Sequence, residues 1–192
     1  FGIGELQLTL PAIHTSQKNN RYALFSNTPY TPYIPALNQH NINSSQLLLL
    51  KPLAKAPLLW ALEQSLRSGA CGAIISWLHK QALRVSELRK LQLAAQQGNC
   101  LLFLFRHPQF EQQASPAKLR IRLTAKPQQL SLNIIKQPGG WAGQTVAIAQ
   151  TQHAHSYISA PQLPNITSSS IYKTAHPEPR LMSNPPITRL NA

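Results

Sequence analysis

The chain has 192 residues, enough for one domain with its own core and few for two. Lys and Arg number 18 against 5 acids, a net charge of +13. All five acids are glutamates (Glu5, Glu63, Glu87, Glu111 and Glu178), which disfavours carboxylate-built magnesium, calcium and glycosidase sites and favours polyanionic partners, either nucleic acid or an acidic protein surface.

The opening, Phe-Gly-Ile-Gly-Glu-Leu, has the outline of a phosphate-binding loop without its chemistry. A working loop ends Gly-Lys-Ser/Thr and runs into a helix. Here Gly2 and Gly4 are kept, while Glu5 stands at the lysine position and Leu6 at the hydroxyl position. The chain does not begin with Met and starts inside an element, so an upstream first strand is expected to be missing from it.

A helix is predicted over Glu5 to Ser16, kinked by Pro11, then a strand over Arg21 to Ser26. Asn27 to Pro35 is a proline-tyrosine loop, and Pro35 opens a short helix through Gln39. Gln46 to Lys51 is an unbroken Leu strand with the pattern of burial on both faces. Leu58 to Ser68 is an amphipathic helix with Gly69 as its left-handed cap, and Ala70 to Leu78 is a continuous apolar strand. The unit repeats: Val85 to Gln97 is helical, with Val85, Leu88, Leu91 and Ala95 inward and Gly98 as the stop, and Asn99 to Phe105 is a second buried strand. Helix, glycine, buried strand is a parallel-sheet signature. Lys118 to Ala125 and Gln129 to Lys136 alternate around a turn at Lys126-Pro127, an antiparallel hairpin expected to close the sheet. The fold class is therefore α/β with a mainly parallel sheet. The domain spans 1–149, and a disordered Pro/Ser/His-rich tail is expected over 150–192.

Cys71 and Cys100 each lie in an apolar run and read as buried reduced thiols of a cytoplasmic protein, and no apolar run approaches the roughly 18 residues of a membrane span. His153 and His155 have no Cys or acid nearby, so no metal site is expected. Without aspartate, neither Ser-His nor Cys-His catalysis has a recognisable orienting acid.

The order of elements resembles the RecA family core. GIGELQLTLPAI (Gly2 to Ile13), PYTPYIPAL (Pro29 to Leu37), WALEQSLRSGACGAIISWL (Trp60 to Leu78), LRKLQLAAQQG (Leu88 to Gly98) and SPAKLRIRL (Ser115 to Leu123) resemble most closely the SulA-related proteins, especially the ImuA-like accessory proteins of error-prone DNA synthesis. The resemblance implies a three-layer RecA-like domain in the SOS response. It implies no cofactor and no catalysis, because the active family's magnesium aspartate is Ser76 here and the water-positioning glutamate falls in Asn27-Thr28-Pro29-Tyr30. The partners it implies are an ImuB-like polymerase-related protein and RecA. The alternative is a SulA-like inhibitor that blocks polymerisation of the cell-division protein FtsZ.

Lys118, Arg120 and Arg122 alternate on one strand and form a basic stripe for DNA backbone or an acidic partner, against the plainer reading of a solvated sheet face. By resemblance, 106–116 and 79–85 stand where RecA loops approach single-stranded DNA, and Arg84, Arg89, Lys90 and Arg106 would extend the basic surface. Trp60 and Trp77 read as core, whereas Tyr30 and Tyr33, among prolines, read as interface residues.

Overall fold

The computed structural model describes residues 2–51, 54–79 and 81–149. A 3-10 turn over Glu5–Thr9 leads into α1 (Leu10–Lys18), followed by β1 (Tyr22–Ser26), α2 (Ile34–Gln39), β2 (Leu47–Leu50), α3 (Lys55–Arg67), β3 (Cys71–Trp77), α4 (Val85–Gln97) and β4 (Leu101–Phe105). The four strands form one parallel sheet in the order β2-β1-β3-β4. Then β5 (Arg120–Lys126), β6 (Gln129–Lys136) and β7 (Thr145–Ala149) form a second, antiparallel sheet. The protein is mixed α/β.

Alternation along the parallel strands divides the core in two. Leu24, Ile74, Leu102 and Leu104 pack with Leu58, Leu62 and Leu66 of α3 and Leu88, Leu91 and Ala94 of α4. Ala23, Phe25, Ala73, Ile75 and Trp77 pack with Leu10 and Ile13 of α1 and Leu37 of α2. Helices therefore cover both faces, and β3, in the middle, is buried along its whole length.

Several expectations are corrected by neighbours that local sequence does not reveal. The hairpin does not close the parallel sheet; it pairs with β7 in a sheet of its own. That leaves β2 and β4 as edges, so Leu48, Leu49 and Leu101 are exposed instead of buried on both faces. Pro11 does not kink a long helix. It occupies the first turn of α1, where its missing N–H costs nothing, and the preceding residues form the tighter 3-10 turn. Val85 is exposed because it is the first residue of α4, and Ala94 is more deeply buried than Ala95. Trp60 is 66% exposed on α3, on the side away from Leu58, Leu62 and Leu66. The expected tail and the two histidines in it lie outside the described residues.

Two further residues fix the assembly. Gly98 ends α4 at φ −87° and is followed by Asn99 at φ +46°, so the left-handed residue is the asparagine. The glycine is required by proximity: a Cβ there would lie 1.8 Å from the Leu66 carbonyl oxygen of α3. Beside this contact the Arg21 guanidinium donates to the carbonyls of Gly69 (2.9 Å), Gly98 (2.7 Å), Asn99 (2.7 Å) and Cys71 (2.5 Å). One cation thus satisfies carbonyls left open where two helices end and β3 begins.

Candidate functional site

The opening turn lies against the C-terminal end of β3. Gly2 and Gly4 have φ of +83° and +98°, a conformation that side chains with a Cβ rarely adopt. This conformation turns the backbone N–H groups of residues 2 and 3 inward, as a phosphate loop does. The anion they meet belongs to the chain. Glu5 Oε1 accepts the Gly2 N–H at 2.9 Å, and Oε2 accepts the Gly2 N–H at 3.0 Å and the Ile3 N–H at 2.9 Å. The Trp77 indole Nε1 donates to Oε1 at 3.2 Å. Glu5 is buried. Burial pushes its carboxyl up, but the Gly2 N–H, its own N–H, the Trp77 indole and the Ile3 N–H outweigh that and hold it below the usual 4.5. Sequence placed Glu5 where a working loop has its lysine; in the structure its carboxylate fills the cradle.

Trp77 is held for this task by an edge-on contact with Phe25 (centroids 5.9 Å apart) and a tilted one with Phe105 (5.3 Å). Its core assignment is right, but its role as donor to Glu5 was missed. The available signal was that a buried indole N–H needs an acceptor. Ser76, singled out in the sequence, sits in register with Ser26 of β1. Both hydroxyls are buried and have no hydrogen-bond partner among the described residues. At the ends of β1 and β3, on the sheet face opposite Phe25 and Trp77, the side chains are therefore neutral hydroxyls. Among the described residues no group of three His, Cys, Asp or Glu side chains is placed to hold a metal ion. Burial raises the Cys71 thiol and, with Cys71 beside it, pushes Cys100 up to about 12, so neither is a ready nucleophile.

Tyr30 and Tyr33 are 75% and 72% exposed, and Tyr30 reaches the opening turn, with its ring 3.8 Å from where a Gly2 Cβ would stand. They belong to the same end of the domain as the filled cradle.

The basic residues divide into groups. Arg84 caps α4: its N–H donates to Glu87 Oε2 at 2.6 Å and its guanidinium lies 3.3 Å from Glu87 Oε1. Lys55 of α3 pairs with the same carboxylate at 2.9 Å. Arg89 and Lys90 are exposed on α4. Lys118 precedes β5, so the stripe on the strand itself is reduced to Arg120 and Arg122. Both guanidinium nitrogens of Arg122 that face Glu111 donate to its carboxylate, and this bond, with burial opposing it, holds Glu111 below the usual range. Arg120 donates to the Glu111 carbonyl. Arg106 lies beside Arg120.

No helix among the described residues is long and apolar enough to cross a membrane. No known family model matches the sequence, and no curated protein matches it. Among solved structures, the crystal structure of SulA from Pseudomonas aeruginosa is similar at 23% identity and a TM-score of 0.45, covering 56% of this chain and 92% of that one.

Proposed function

We propose that this protein is a non-catalytic SOS-response protein of the SulA and ImuA kind, and that it acts by binding another protein. The observation that carries the reading is the Glu5 carboxylate seated on the Gly2, Ile3 and Trp77 N–H groups. A phosphate entering that turn would have to displace a buried anion that is already hydrogen-bonded. Ser26 and Ser76 end their strands as neutral hydroxyls, and the turn's own carboxylate, Glu5, is already held by N–H donors instead of being free for magnesium.

Under this reading the exposed Tyr30 and Tyr33 beside the turn form the docking patch, since rigid aromatics in a proline-rich loop lose little entropy on contact. The partner class we favour is a cell-division protein of the FtsZ type, blocked as SulA-like proteins block it. Expression from an inducible promoter should make cells filament, and Tyr30→Ala with Tyr33→Ala should abolish this without loss of folded protein. Normal division at high expression would count against this partner.

A second reading is favoured by the net charge of +13 and the exposed Arg89, Lys90 and Lys118. It is an ImuA-like accessory role in translesion synthesis through an ImuB-like protein and RecA, with single-stranded DNA nearby. Disruption would then lower damage-induced mutagenesis and leave division unchanged.

A further inference from the structure

The turn between β6 and β7 carries an aromatic that belongs to neither core. Trp141 is 86% exposed and stands in Gly139-Gly140-Trp141-Ala142-Gly143, a run with no charged residue. The turn is nonetheless fixed. Gly139 and Gly143 take φ of +64° and +93°. The Gly143 N–H donates to the Ile134 carbonyl and the Ile134 N–H to the Gln144 carbonyl, both at 2.8 Å. Inside the turn, Gln137 Nε2 donates to the Trp141 carbonyl at 3.0 Å. Gln137 also lines a cleft of about 360 Å³, together with Pro116, Lys118, Lys136 and Pro138. One residue therefore ties the backbone that carries the indole to a recess lined by two cations. Lys136 Nζ donates to the Ser115 carbonyl at 3.2 Å, and neither lysine has a carboxylate partner among the described residues.

An exposed indole on a fixed turn, beside two uncompensated ammonium groups, matches a ligand made of flat rings joined by phosphates. We propose that Trp141, Lys118 and Lys136 bind a single-stranded nucleic acid, with one base stacked on the indole and the adjoining phosphates on the two ammonium groups. Each part of the site argues for this occupant. Ammonium groups are point charges suited to phosphate, whereas adjacent carboxylates of an acidic peptide are matched by the arginine fork, and no arginine lines the cleft. An acidic peptide also leaves the indole without a partner. A bilayer surface is planar, whereas these lysines line a recess between two prolines. A duplex keeps its bases stacked on one another and unavailable to the indole. None of the three residues lies in 79–85, in 106–116, in the Glu5 cradle or in the tyrosine patch, so the site goes beyond the protein-binding reading and stands without it.

The test is fluorescence anisotropy of a labelled dT12 oligonucleotide with the full chain across a salt series. Trp141→Ala should weaken binding by about tenfold and leave the salt slope unchanged, because stacking on a base releases no counterion. Trp141→Phe should recover most of that loss. Lys118→Gln with Lys136→Gln should weaken binding at low salt and make the slope of log K against log salt shallower by about 1.4, from two phosphates at about 0.7 each on a single strand. Arg89→Gln with Lys90→Gln removes the same charge from α4 and should change affinity less than about twofold. All five side chains are exposed, so none of these variants takes packing from a core. No loss at Trp141→Ala, or equal losses in the two double variants, would overturn the site. So would labelled hexaglutamate bound as tightly as dT12 through the same lysines, which would assign the cleft to an acidic peptide. Trp141-dependent binding to phosphatidylglycerol vesicles without binding to dT12 would overturn it too, and would assign the turn to a membrane surface.

Discussion

Glu5→Gln changes one atom of the filled cradle and should cost more than its size suggests. The carboxylate offers two acceptor oxygens to the Gly2, Ile3 and Trp77 N–H groups. The amide keeps one acceptor and turns an NH2 toward at least one of those donors. Hydrogen bonds to a charged acceptor contribute about 1.5–3 kcal/mol, and a buried donor left unpartnered costs about 1–3 kcal/mol. We therefore expect a loss of about 3 kcal/mol, or a fall in Tm of about 6–12 °C at this size. The pH dependence has a defined sign. The folded-state pKa of Glu5 is depressed, so its contribution is present above the unfolded value near 4.5 and is lost as pH falls through the folded value. Chemical denaturation at pH 7 and at successively lower pH below 4.5 should show the gap between wild type and Glu5→Gln narrowing toward acid. A variant within about 0.5 kcal/mol of wild type at pH 7 would refute the reasoning.

Gly98→Ala should destabilise by at least about 2 kcal/mol in denaturant titration, because the new Cβ meets a backbone carbonyl that cannot swing aside. Ser76→Ala should be neutral or slightly stabilising by thermal melt, since it removes a buried hydroxyl without a described partner, whereas Ser76→Asp should cost several kcal/mol by burying an unpaired carboxylate. In the folded protein Cys71 and Cys100 should resist iodoacetamide at pH 8, and mass spectrometry should find both modified only after denaturation.

The parallel layer was legible because its signals are local. The unbroken apolar run of β3, the spacing of Leu58, Leu62 and Leu66, and Gly69 at φ +71° each announce their element. Edges were not legible, since Leu47–Leu50 and Leu101–Phe105 are as apolar as β3 and only strand order exposes them. Thr145–Ala149 is too short and too exposed to signal β7, and without it the hairpin has no visible destination. At the site, the residues of the opening turn could be read, but not the direction of the Glu5 side chain. That depends on Trp77, a contact across 72 positions of sequence. Arg21 was invisible for the same reason, its acceptors being the backbone carbonyls of two distant helix ends.

The central claim is that the opening turn is occupied by the chain's own carboxylate and is closed to nucleotide. Equilibrium binding of a fluorescent ATP analogue with magnesium to the full chain tests it most directly. The account predicts no saturable binding through the micromolar range. Saturable micromolar binding that magnesium strengthens and unlabelled ATP displaces would contradict it.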